Sequence, residues 1–112
     1  MIPPLQGQAV QDERQLDGSR HLELELVDPL GGWLCSLHCI LERDGAVREA
    51  ELDLDSPDGP WSAGLDAVDR ISTEGPLRLL ASFTDAGFTL RLDLRELDEG
   101  GGFLALLESD ED

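Results

Sequence analysis

The stretch Trp61-Ser62-Ala63-Gly64-Leu65-Asp66-Ala67-Val68-Asp69-Arg70-Ile71 decides the fold class, because its apolar residues do not simply alternate. Trp61, Leu65, Val68 and Ile71 are spaced by four, three and three, as along one stripe of an amphipathic helix, and Asp66, Asp69 and Arg70 fall away from that stripe. Pro60 suits a first helical position, and Ser56 or Asp58 stands where a cap is needed. Gly64 weakens the helix but lets it lie close against a sheet. The spacing therefore predicts one helix from Trp61 to about Ile71.

On either side of this segment the period is two. In His21–Val27, Leu22, Leu24 and Leu26 face one way and His21, Glu23 and Glu25 the other, the pattern of a half-buried strand. Asp28-Pro29-Leu30-Gly31-Gly32 follows as a turn. Trp33–Arg43 then puts Trp33, Cys35, Leu37, Cys39 and Leu41 on one face, with Leu34, Ser36, His38 and Ile40 on the other, which suits a central strand. Asp44-Gly45 is a hairpin signal, since both positions tolerate positive φ. The returning strand, Ala46–Leu54, turns Ala50, Leu52 and Leu54 inward and Glu49, Glu51 and Asp53 outward. Beyond Glu74-Gly75-Pro76, Leu77–Phe83 and Phe88–Leu94 form a second hairpin. A turn at Glu99-Gly100-Gly101-Gly102 leads to a last strand, Phe103–Leu107.

The predicted architecture is α+β: about six mostly antiparallel strands with one helix on one face, in the order βββαβββ. Residues 1–19, rich in Gln, Asp, Pro and Gly with sparse apolar positions, read as a flexible arm. Residues 20–108 form the single domain, and 109–112 an acidic tail. The 112-residue length fits one domain with one modest core.

Charge narrows the function. Twenty-five acids face eight bases, all arginine, for a net charge of −17. The absence of lysine excludes Schiff-base chemistry and a P-loop lysine. Such an excess of negative charge opposes binding to nucleic acid or an anionic membrane, and it steers basic partners inward. The N-terminal residues have neither a basic region nor an apolar run, and no segment is long and apolar enough to span a membrane, so a cytoplasmic location is expected. The arginine-only, Gly/Asp/Leu-rich composition fits a high-GC bacterial genome.

Motifs for chemistry are lacking. Cys35-Ser36-Leu37-His38-Cys39 has the residue types of a metal site, but on a strand His38 points away from the two thiols, and free cysteine packs as a small hydrophobe. Asp53-Leu54-Asp55-Ser56-Pro57-Asp58-Gly59 departs from a calcium loop, with glycine one place late and Pro57 intruding. There is no nucleophile elbow, Walker loop, HExxH or dinucleotide fingerprint. The expectation is a protein that is not an enzyme and uses no cofactor or metal.

What remains is patterned acidity. Glu23 and Glu25 on one strand, and Glu49, Glu51 and Asp53 on another, form one negative patch if the two strands are neighbours. These five are the candidate partner-binding residues. Trp33 and Trp61 are large aromatics able to anchor an interface, although both fall on apolar stripes.

The layout from Leu22 to Glu108 resembles the WapI-like group of small immunity-type proteins that accompany bacterial polymorphic toxins. The resemblance rests on Trp33-Leu34 opening a strand after a glycine turn, the acidic hairpin, the predicted Trp61-containing helix with Leu65, and the closing strands. It implies a cytosolic antidote that binds and blocks a toxin domain, often a basic nuclease. The expected function is thus an acidic module that binds a basic protein. The alternatives are a structural or adaptor homodimer, and a DNA mimic.

Overall fold

The structure, a computed structural model, describes residues 2–28, 30–97 and 102–109. Eight strands follow one another in sequence and in space: β1 Leu5–Arg14, β2 Arg20–Asp28, β3 Trp33–Leu41, β4 Val47–Ser56, β5 Gly59–Ser72, β6 Arg78–Asp85, β7 Phe88–Glu96 and β8 Gly102–Ser109. Each pairs antiparallel with the next, and β8 returns to β1, closing an up-and-down barrel.

This overturns the α+β reading. There is no helix among the described residues, and the strands number eight instead of six. The predicted helix is β5, and two bulges explain the misleading spacing. In β5 the inward residues are Trp61, Ala63 and Leu65, opposite Leu54, Leu52 and Phe83. Register shifts at Leu65/Ala67 and Val68/Arg70 then insert Asp66 and Asp69 as extra residues. Each insertion stretches the inward period from two to three, so Leu65, Val68 and Ile71 face Phe83, Ala81 and Leu79 on one side of a strand. A bulged strand has copied the arithmetic of a helix.

The other strand absent from the sequence reading is β1, in the segment read as an arm. Its inward residues Leu5, Gly7 and Ala9 are mostly small, and a bulge between Ala9 and Gln11 breaks the alternation. Gly7 is small for a reason: a Cβ there would lie 1.7 Å from the Glu25 carbonyl oxygen. Gly7 pairs with Leu26 on one side and Phe103 on the other, at the narrow seam where only Leu5–Gln8 of β1 reach β8. Gly64 is the residue at which β5 changes partner, paired with both Glu51 and Thr84, with open space where a Cβ would lie. Before Gly64 the strand pairs only with β4, and after it only with β6. Pro60, which lacks an N–H, lies in the part paired on one side only. Two such corners flatten the barrel to 41 × 30 × 18 Å.

The turns follow local chemistry. Ser56 and Gly59 close β4 onto β5 around Pro57 and Asp58, with the Asp58 N–H donating to Ser56 Oγ. The loop weighed as a calcium site is therefore a two-residue hairpin turn. At the β6–β7 turn, Ala86 and Gly87 both have positive φ, 52° and 82°. The Glu99–Gly102 turn lies mostly outside the described residues, as do Pro29 of the Asp28–Gly32 turn and 110–112 of the expected acidic tail.

Leucines fill the barrel. Leu24, Leu37, Leu52 and Leu79 are 0 % exposed, so they border no water-sized void and the middle of the barrel is solid. Outward positions are largely polar or charged, the reverse of a membrane-spanning barrel with its apolar outer band.

Candidate functional site

Alternation places all five predicted residues, Glu23, Glu25, Glu49, Glu51 and Asp53, on the outside, and each is exposed. β2 and β4 are not neighbours, however. β3 lies between them, in rows that run Glu25–Ser36–Asp53, Glu23–His38–Glu51 and His21–Ile40–Glu49. The carboxylates thus stand in two columns roughly 10 Å apart, two strand spacings, with successive acids about 7 Å apart along each strand. The outward rows of β1 through β4 also include Glu13, which pairs with His21, and Asp55, which pairs with Leu34. No arginine stands among the residues of these paired outward rows; Arg48, exposed in the β4 bulge next to Glu49, pairs with Glu42 and Asp17. Asp53 is held by a hydrogen bond from the Ser62 hydroxyl.

The sequence reading of the thiols concerns the opposite face. Cys35 and Cys39 are buried in the core. Burial pushes their pKa values up to about 12 and about 11, with the negative charge of Asp53 adding to the rise at Cys35. Thiols so held stay protonated and make poor nucleophiles at neutral pH. His38 sits on the outer face, between Glu23 and Glu51. Among the described residues no group of three or more His, Cys, Asp or Glu is arranged to hold a metal ion.

The two ends of the barrel differ. At one end Arg20 of β2 points inward, with only 14 % of its side chain exposed. Its guanidinium donates to both oxygens of Asp12, at 2.9 and 2.8 Å, and to Glu96 at 3.2 Å. The other Glu96 oxygen accepts the Leu77 N–H at 3.0 Å. This cluster ties β1, β2, β7 and the β5–β6 connection together. The Arg20 hydrogen bonds hold Asp12 below the ordinary carboxylate pKa, and the same contacts raise that of Arg20.

The opposite end is open. An aromatic residue stands there on each of three alternate strands, Trp33 at the start of β3, Trp61 near the start of β5 and Phe88 at the start of β7. All three have inward parity. Trp61 and Phe88 meet edge to face, with ring centroids 5.5 Å apart and planes at 81°. They line an open cleft of about 1020 Å³ that also reaches Ile2, Leu54 and Leu107. Residues of outward parity, among them Leu80, Asp93 and Leu106, line it as well, so the cleft continues onto the outer face of β6–β8. Sequence reasoning noticed Trp33 and Trp61 singly; only the up-and-down topology brings them to one end with Phe88.

No protein-family model matches this chain, and no curated protein or solved structure does either.

Proposed function

We propose that this chain is an acidic protein-binding module, an immunity-type inhibitor that docks a basic effector or toxin domain on the outer face of β2–β4. The observation that carries the reading is the segregation of charge. Glu23, Glu25, Glu49, Glu51 and Asp53 share one exposed face, and no arginine interrupts its paired rows. A row of carboxylates without an arginine, on a protein with net charge −17, adds a local negative field, which accelerates encounter with a basic surface and orients it. A strand face held by hydrogen bonds on both sides also presents its charges with little further loss of freedom on binding.

The test is capture from lysate of the native host with the intact protein, at low and then moderate salt. The expected result is one basic protein, released by salt, whose capture is lost when Glu49, Glu51 and Asp53 are changed together to lysine. Equal recovery by the wild type and this variant would overturn the reading. A stable homodimer in sedimentation that buries the acidic face would replace it with the structural one.

A further inference from the structure

The open end of the barrel has the make-up of a small-molecule site, and its features are independent of the acidic face. Its floor is the solid leucine core, with Leu54 only 5 % and Leu107 only 6 % exposed. Its walls are Trp33, Trp61 and Phe88, of which Phe88 is 36 % exposed, a large apolar surface left uncovered by the fold. The whole cleft, mouth and outer-face extension together, measures about 1020 Å³, room for a ligand of drug size. Charge then selects among such ligands. The cleft lining carries four carboxylates, Asp58, Asp69, Asp93 and Glu108, against one guanidinium, Arg91. Asp93 is already shared by Arg78 and Arg95, whereas Asp58 stands in the β4–β5 turn, three residues before Trp61 and lining the same cleft. Aromatic faces attract cations through their quadrupole, and carboxylates at the rim add to that attraction. An anion would meet both the local acids and the net charge of −17.

We infer that the aromatic mouth formed by Trp33, Trp61 and Phe88 binds an organic cation with an apolar body, the charge lying against the rings and toward Asp58. The cation is a small molecule, such as a quaternary ammonium or a protonated arylamine.

The protein carries its own reporter, since Trp33 and Trp61 are its only two tryptophans and both line the cleft. Tetraphenylphosphonium and tetraphenylborate have nearly the same shape and opposite charge, and tetramethylammonium has the charge with almost no body. Titration with tetraphenylphosphonium should give a saturable, one-to-one change in tryptophan emission. Tetraphenylborate and tetramethylammonium should bind at least tenfold more weakly. Phe88→Ala, at an exposed hairpin position, and Asp58→Asn, in a turn, should each weaken the phosphonium about three- to tenfold while leaving the far-ultraviolet spectrum unchanged. The Glu49, Glu51 and Asp53 triple lysine variant should bind it nearly as the wild type does. Absence of saturation, equal binding of the borate, or loss of binding only in the triple lysine variant would overturn the inference. The last outcome would assign the effect to counterions gathered by the acidic face. Protein capture and this titration depend on different residues, so either can fail alone.

Discussion

The first four strands and the last four are built to the same plan inside and to opposite plans outside. Both halves line the core with apolar residues, mostly leucine, at alternate positions. On the paired outer rows of β1–β4 stand Glu13, Glu23, Glu25, Glu49, Glu51, Asp53 and Asp55, and the arginine exposed beside them, Arg48 in the β4 bulge, is drawn to Glu42 and Asp17 at the edge. On those of β5–β8 stand Arg70, Arg78, Arg91 and Arg95, interleaved with acids. Arg78 and Arg95 even lie directly opposite each other, and Asp93 reconciles them by accepting from both, at 3.4 and 2.9 Å. Like charges opposed across a sheet are destabilising. The second half bridges its opposed charges within the sheet, whereas in the first the ion pairs of Arg20 and Arg48 lie at the edge and, among the described residues, none reaches Glu23, Glu25, Glu49, Glu51 or Asp53. A fold that bridges its charges elsewhere and leaves these five carboxylates without an arginine points to a use for them.

The largest expected effect comes from the contact that joins the halves. Arg20 of β2 reaches Glu96 of β7 while holding Asp12 of β1. Arg20→Met keeps the length of the side chain but leaves two carboxylates facing each other at a mostly closed barrel end. Breaking a well-buried charge pair costs roughly 3–5 kcal/mol, and the partial exposure of Asp12 and Glu96 reduces this to about 2–3 kcal/mol. Urea unfolding would measure it. A cost under 0.5 kcal/mol would mean that the halves hold together through the core alone.

A smaller effect separates the compensated half from the other. Asp93→Asn removes the bridge between Arg78 and Arg95, for an expected loss of about 1 kcal/mol at pH 7 after allowing for the exposure of both arginines. The hydrogen bonds from Arg95 and Arg78 lower the Asp93 pKa below its usual 3.8. Its contribution is therefore complete above about pH 5 and lost as pH falls through the lowered value. The gap between wild type and Asp93→Asn should close in that acidic range and stay constant from pH 5 to 8. A gap that persists at pH 2 would assign the loss to packing.

How far the sequence carries the reader follows the same division. Where side chains alternate without interruption, as in β2, β3, β4 and β7, the strands and their inward and outward faces were legible, and so was the exposure of the five acids. Alternation carries no information on strand order, so the sequence did not disclose that β3 separates the two acidic columns. β1 was hidden because close approach at Gly7 forbids the side chains that would have marked it. β5 was hidden because the bulges at Asp66 and Asp69 changed its period. The aromatic mouth draws on residues 33, 61 and 88, which no local pattern connects; only the closed topology does. A sharper reading of β5 was available. Strict helical spacing would also have buried Leu65 and its neighbours around a continuous stripe, whereas Ala63 and Gly64 offer little to pack and two aspartates recur three apart.

The smallest effect tests the uncompensated half itself. Glu51 stands across β3 from Glu23, with His38 between them, and lies one place along β4 from the acids at 49 and 53 on the same face. If the face is held together against its own repulsion, Glu51→Lys should stabilise the fold by a few tenths of a kcal/mol, the worth of a favourable exposed pair in place of an unfavourable one. The gain should be greatest in about 10 mM salt, where the screening length near 30 Å spans the whole face, and nearly absent at 1 M, where it is about 3 Å. Thermal melts of the two proteins across this range provide the measurement, with the wild type itself expected to gain stability as salt rises. Arg95→Glu in the other half should behave in the opposite sense, destabilising at low salt because it sets a new carboxylate beside Asp93. Stabilisation by Glu51→Lys together with loss of partner capture would mean that the acidic face is kept at a cost to the fold. A variant no more stable than wild type at any salt would mean that these carboxylates are already far enough apart, at roughly 7 Å along the strand and 10 Å across, for water to separate them. In that case the contrast between the halves is one of appearance, and the argument from uncompensated charge to a docking surface loses its energetic support.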